Sequence, residues 1–245
     1  MKHFKKKSKA KNQNSKVIIL FGPPGSGKGT QGELLAEKFN LYYFETSKIL
    51  EETFNKGFRE KKFIQVDGQR YYFEKEKKLW QEGKLCSPPF VTYLVMERIK
   101  ELYQEGKNLI LSGSPRTLYE AERVLPLLKK LYGKEKIKII LFDQEEKITI
   151  WRNSRRRICQ LMRHPILSTK KEFLNLKYCP LDGSKLVKRK GLDDPETIKV
   201  RLKEYKERTF PIINYLKKEK LEVIKINSSP PPAEVFENIL KVLNF

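Results

Sequence analysis

Val17-Ile18-Ile19-Leu20-Phe21-Gly22-Pro23-Pro24-Gly25-Ser26-Gly27-Lys28-Gly29-Thr30 is the stretch on which the reading of this chain turns. Its first part is an unbroken apolar run rich in β-branched residues, which reads as a strand buried on both faces, as in a parallel sheet. A Gly/Pro-rich turn follows, then a helical pattern over 29–39. Strand, glycine loop and helix in that order frame the pattern G-x-x-x-x-G-K from Gly22 to Lys28, the signature of a phosphate-binding loop. Gly29 separates the lysine from the hydroxyl residue Thr30, where the strict pattern has Ser or Thr at once. The chemistry is the same in kind. Glycines let successive backbone N–H groups turn inward on phosphate oxygens, and the helix N-terminus adds its positive end. Lys28 is placed to reach the β- and γ-phosphates, and Thr30 to help hold the phosphates or Mg2+. A plain glycine turn would need neither the strand, the helix nor the lysine.

Outward from this loop the chain alternates. Buried-strand runs recur at 41–44, 108–111, 137–142 and 223–226. Helical patterns fill 74–81, 90–104, 117–132, 145–157 and 193–219, the last interrupted near Pro211, and a final helix follows Pro230 to Pro232. Residues 63–73 alternate around Asp67-Gly68, a type I′ hairpin signal. Residues 159–190 are polar and poorly periodic and read as an insertion. Asp193-Asp194-Pro195-Glu196 is a helix start with proline in the first turn. Strands alternating with helices predict an α/β fold with a parallel sheet.

The 245 residues suit one domain with one or two small insertions. Lys and Arg number 52 against 30 Asp and Glu, a net charge of +22. A charge of that size attracts polyanions without specificity, and a solvated basic surface explains it as well as a nucleic-acid role does. Residues 1–15 form a Lys-rich tail expected to be disordered. No apolar run reaches the ~18–20 residues of a membrane span, and none follows the basic start as a signal peptide would require. A cytoplasmic protein is the expectation. The three cysteines, Cys86, Cys159 and Cys179, do not suggest a secreted disulfide framework. Cys86 reads as a small packing residue.

Further motifs give the chain a resemblance to a known family. Gly22 to Gln31 has the form G-x-P-G-x-G-K-G-T-Q. Gly113-Ser114-Pro115-Arg116-Thr117 looks like a D-G-F-P-R-T segment. Arg152 and Arg156-Arg157 look like paired lid arginines, and Asp193 to Thr197 with Arg201 looks like D-D-x-P-E-T-x-x-x-R-L. Together and in this order they resemble the adenylate kinases from residue 16 onward. The resemblance implies a P-loop fold with a five-stranded parallel core over 16–45, 92–157 and 193–245, a monophosphate-binding insert over 46–91 and a lid over 158–192. It implies transfer from Mg-ATP to a nucleoside monophosphate, with AMP the first choice, by a monomer. Lys28, Arg116, Arg156 and Arg201 would clamp the phosphates. Gly25, Ser26, Gly27, Lys28, Gly29, Thr30 and Arg152 would bind ATP, Arg152 against the adenine. Thr46, Leu50, Gly113, Arg116 and Glu120 would line the monophosphate side. Phosphoryl transfer needs positioning and charge neutralisation above all, and permanently charged, planar guanidinium groups suit it.

Four departures from the family pattern matter. Thr46-Ser47-Lys48-Ile49-Leu50-Glu51 stands where T-G-D-x-L-R is usual, so Glu51 replaces a phosphate-binding arginine. Lys48 or a basic residue of the insert is then expected to supply the charge. Ser112 replaces the aspartate that the resemblance assigns to water-mediated Mg2+ binding. Glu120 replaces the glutamine that the resemblance assigns to reading adenine; either its acceptor chemistry serves a base, and then suits guanine better, or it is a solvated helix residue. The hairpin at 63–73 is an addition, with Arg70, Tyr71 and Tyr72 as candidate contacts or a structural extension. The lid frame, Cys159-x2-Met162, sixteen residues, then Cys179-x2-Asp182, matches the family's zinc spacing except at Met162, a poor zinc ligand. His164 can stand in, giving a set of Cys159, His164, Cys179 and Asp182 for a structural Zn2+. The alternative is a lid without metal. Other readings are a kinase for another base such as GMP, a nucleic-acid-associated binding module, and a degenerate homologue that binds nucleotide without transfer. Retention of Lys28, Arg116, Arg156 and Arg201 argues against the last two.

Overall fold

A computed structural model describes residues 17–60, 62–167, 171–189 and 193–243. The basic tail at 1–15 lies outside them, as do parts of the region read as a lid. Strand β1 (Val17–Phe21) leads into helix α1 (Lys28–Phe39) and β2 (Tyr42–Glu45). Then come α2 (Thr46–Glu60), the hairpin strands β3 (Phe63–Val66) and β4 (Gln69–Tyr72), and α3 (Phe73–Gln81). The chain returns to the sheet through α4 (Pro88–Gln104), β5 (Leu109–Ser112), α5 (Leu118–Tyr132), β6 (Ile137–Asp143) and α6 (Glu146–Arg155). A small three-stranded sheet follows, built from β7 (Arg156–Cys159), β8 (Pro165–Leu167) and β9 (Leu186–Val187), with the short α7 (Lys171–Leu174). Helices α8 (Pro195–Glu204) and α9 (Ile212–Lys218), strand β10 (Val223–Asn227) and α10 (Pro232–Leu243) complete the chain.

The core sheet has five strands in the order β10-β6-β1-β5-β2, all parallel. The apolar run that opened the reading is its central strand, buried along its whole length. Both faces are covered, which is why its residues show no polar alternation. On one face Val17 and Ile19 join Phe90, Val95, Val124 and Leu216 from α4, α5 and α9. On the other, Ile18 and Leu20 pack with Leu35 of α1 and with Val235 and Ile239 of α10. Strand ends carrying Gly22, Ser112 and Glu45 therefore gather at one edge, where α/β sheets bind their ligands.

The predicted hairpin forms, with Asp67 at φ 49° and Gly68 at φ 80°. Positive φ at both turn positions is what a type I′ turn demands. One boundary differs from expectation. The helix predicted over 145–157 ends at Arg155, and Arg156 and Arg157 open β7 instead. The pairings Arg156 with Leu167 and Arg157 with Ile166 take up their backbone, a competing ladder that helix periodicity cannot reveal.

Candidate active site

The loop between β1 and α1 forms the floor of a cleft of about 750 Å³. Gly25 takes φ +84°, and a Cβ there would stand 2.2 Å from the side-chain nitrogen of Asn153, so only glycine fits. That closeness has a purpose. Asn153, fully buried on α6, donates to the carbonyl of Pro24 at 3.0 Å and to Thr149 at 2.8 Å, and its oxygen accepts from Arg156 at 2.9 Å. One side chain ties the phosphate loop to a cleft arginine. Sequence reading missed it; the only signal was its place one helical turn before Arg156.

Lys28 donates to the carbonyls of Gly22 and Pro23, both at 2.7 Å. Burial, and then the positive charges of Arg116, Arg201 and Arg156, push its amine down to about 7. Lys28, Arg116, Arg156, Arg189 and Arg201 all line the same cleft. Burial, with Arg189 and Arg156 beside it, pushes Arg201 down from the ordinary guanidinium value. So many cations facing one another are costly unless an anion arrives between them.

Asp193 holds part of this array in place. It is buried, accepts from Arg156 Nε at 3.2 Å, and accepts from Arg189 Nε at 2.9 Å and Nη2 at 2.7 Å. Burial raises its carboxyl, but the hydrogen bonds from Arg189 and Arg156 outweigh that and hold it below the ordinary value. Asp194, next in sequence, caps α8 by accepting from the N–H of Thr197. Arg189 was not singled out from the sequence, because nothing in its polar surroundings marks it until Asp193 brings it beside Arg156. Arg157 faces elsewhere, donating to the carbonyls of Phe173, Leu174 and Leu176 within the small sheet's loop. Arg152 donates to the carbonyls of Ser228 and Ser229, both at 2.8 Å, and lines the cleft beside Ser228 and Pro230.

These observations meet a family match. The family model for adenylate kinase matches residues 20–221. An adenylate kinase of Methanothrix thermoacetophila is 34% identical over 230 residues, covering 93% of this chain and 98% of that protein. Adenylate kinases of Kosmotoga olearia and Petrotoga mobilis are 32% and 30% identical, each over 92% of this chain and 98% and 96% of their own lengths. The chain belongs to the adenylate kinase family.

On the acceptor side, the structure places three expected residues away from the cleft lining. Glu120 does not face the cleft. It is 2% exposed, and it accepts from the N–H of Arg116 at 3.1 Å while Thr117 Oγ1 accepts from its own N–H. Thr117 thus caps α5 through the N–H of Glu120, and the Glu120 carboxylate accepts from the Arg116 N–H and the Thr117 hydroxyl beside it and does not line the cleft. Burial pushes its carboxyl up to about 7. Leu50 is buried with Phe54 in the apolar core, and Thr46, also buried, gives its hydroxyl to the Gly113 carbonyl at 2.8 Å. Neither lines the cleft. Gly113 and Arg116 do, and Gly113, at φ +84°, leaves room for the guanidinium: a Cβ there would meet Arg116 Nη2 at 2.4 Å. Lys48 and Lys84 line the same side, so the positive charge that Glu51 cannot supply is present nearby. Arg70, Tyr71 and Tyr72 of the hairpin are not among the lining residues; Arg70 stacks over Phe63, 4.7 Å from its ring centre, as a structural extension would.

In the small sheet, one ligand atom from each of Cys159, His164, Cys179 and Asp182 lies within 4.8 Å of the others. Cys159 Sγ sits 3.0 Å from Asp182 Oδ2 and His164 Nδ1 3.3 Å from the same oxygen. Met162 is exposed and turns to the cleft instead. Cys86 is buried far from this group, and burial pushes its thiol up to about 12, as a packing residue's would be. No helix among the described residues is long and apolar enough to cross a membrane.

Proposed function

We propose that this chain carries out the reaction of its family, ATP + AMP ⇌ 2 ADP, in the cleft above the phosphate loop. The observation that carries the reading is the convergence of Lys28, Arg116, Arg156 and Arg201 on that loop, with Arg189 added. A phosphoryl group in flight between two nucleotides spreads negative charge over its oxygens, and a preorganised set of cations stabilises it without reorganising. The backbone N–H groups of residues 25–30 and Lys28 hold the ATP phosphates, and Arg152 with the Ser228–Pro230 backbone forms the adenine wall. Gly113 and Arg116 serve the acceptor, with Lys48 and Lys84 as further cations. Thr30 and Ser112 offer oxygen donors on the cleft wall to the Mg2+ carried by ATP, which would neutralise charge on its phosphates. Residues 46–91 and 158–192 act as the acceptor-side and ATP-side inserts.

In the second of these, the set of Cys159, His164, Cys179 and Asp182 suits a tetrahedral structural Zn2+, with two thiolates, one imidazole and one carboxylate. Such a metal would stiffen the insert and would take no part in transfer. With Glu120 turned into the start of α5, none of the cleft-lining residues favours GMP over AMP. The reading is tested by a coupled assay of ADP formation with Mg-ATP against AMP, GMP, CMP and UMP, with Lys28→Ala as control. Turnover with AMP that the control loses is the expected result. Binding of ATP without turnover on any acceptor would point to a degenerate homologue, and salt-sensitive RNA binding without turnover to a binding module.

A further inference from the structure

Magnesium keeps most of its water and is usually held through one or two carboxylates together with substrate phosphates. Ser112 offers a hydroxyl and no charge. The parallel register sets Leu20, Ser112 and Glu45 side by side on β1, β5 and β2. Side chains at matched positions share one face of a sheet. Here it is the face that α1 covers, since Leu20 packs with Leu35 and Ala36. The first turn of α1 carries Thr30, and Thr30, Ser112 and Glu45 all line the cleft.

Glu45 is held in place there. Ser47 Oγ donates to its Oε1 at 2.7 Å, and Lys48 Nζ lies 3.9 Å from its Oε2. Its carboxylate is 31% exposed and near enough to Arg156 to act on that charge. Of the other carboxylates that line the cleft, Glu204 is held by Arg208 at 3.0 Å and Glu51 faces Arg163. Glu33 of α1 lies close enough to Glu45 and Lys48 to feel both charges, and burial raises its carboxyl, whereas Glu45 is fixed on the sheet beside Ser112.

We propose that Glu45, acting with the Ser112 hydroxyl, supplies the carboxylate that orients the water shell of the Mg2+ carried by ATP, one strand away from where Ser112 lacks it. Glu45 is then a positioning residue, and the inference rests on the ATP site proposed above. The required charge has moved sideways in register, which leaves the sheet geometry unchanged.

Binding of ATP to the full chain, with and without Mg2+, separates the possibilities, and Mn2+ in place of Mg2+ adds an electron paramagnetic resonance signal for the bound metal. Glu45→Gln is expected to weaken metal binding in the ternary complex about 10-fold while metal-free ATP binds as before. Glu45→Asp should stay close to the parent, which separates loss of charge from any fault in folding. Adding Ser112→Asp to Glu45→Gln should restore metal affinity. An unchanged metal titration in Glu45→Gln, or equal loss of ATP with and without metal, would overturn the role of Glu45. A parent chain that binds no ATP in either condition would instead overturn the ATP-site reading.

Discussion

Arg163 Nη1 lies 4.0 Å from Glu51 Oε1. The first residue sits in the turn between β7 and β8, at φ +61°, and the second on α2, so the contact joins two separate excursions from the core sheet. Both line the cleft. The replacement of an expected arginine by Glu51 thus has a structural counterpart: the position that would repel Arg163 as an arginine attracts it as a glutamate. Both side chains are about half exposed, so the pair contributes at most about 1 kcal/mol.

That figure sets the first prediction. Glu51→Arg should shift the balance between β7–β8 turn and α2 toward separation by up to about fivefold. Combining it with Arg163→Glu should bring the balance back. Paired spin labels on α2 and the β7–β8 turn would measure the distance distribution. Identical distributions in all three proteins would mean that the contact does not couple the two segments.

Lys28 gives a pH prediction. Its amine is pushed down to about 7 by burial and by the arginines around it. Around pH 8 it is therefore mostly neutral, and bound phosphate should restore the proton. ATP binding at pH 8 is expected to take up a proton, and affinity should fall as pH rises through about 7. Calorimetry in buffers of different ionisation heat reads the uptake directly. Lys28→Arg, whose side chain stays charged, should remove most of it.

Glu120 gives a stability prediction of opposite character. Its folded carboxyl is raised to about 7 by burial, above its ordinary value of 4.5. The folded state then keeps a proton that the unfolded chain releases between those values. Stability from this group is present below the unfolded value and is lost as pH rises through about 7. Glu120→Gln keeps an oxygen for the N–H of Arg116 and abolishes the titration. It should stabilise the protein at pH 8 by about 1–3 kcal/mol and flatten the slope, while leaving the choice of acceptor base alone. Denaturant unfolding at pH 5 and pH 8 checks the first part and the nucleotide assay the second.

What the sequence revealed and what it hid divide along a physical line. The core strands are legible because burial on both faces forces runs such as Val17–Phe21 to be apolar throughout. The phosphate loop is legible because its function needs glycines and a lysine at set spacings. Glu120 and Leu50 were misplaced because spacing says which residue is near a site and not which way it points. Arg189 and Asn153 were missed because each matters through a chain of contacts: Arg189 reaches Arg156 only across Asp193, and Asn153 joins Arg156 to Pro24 of the phosphate loop. The strand at Arg156–Cys159 was hidden because its partners are three-residue and two-residue segments, too short to show a period.

Zinc in the small sheet can be tested against the sequence spacing itself. The spacing points at Met162, whereas the structure gathers Cys159, His164, Cys179 and Asp182 and leaves Met162 exposed at the cleft. If those four hold the ion, elemental analysis should find about one zinc per chain, because such a tetrahedral set binds a single ion. Cys179→Ser and His164→Ala should each lower that content, whereas Met162→Ala should keep it. Chelation should lower the melting temperature of the parent and leave that of Cys179→Ser nearly unchanged, since metal binding to a folded site is folding free energy. A parent chain free of zinc that melts unaltered after chelation would mean that the apolar packing of Cys159, Cys179 and Leu186 holds this sheet together by itself.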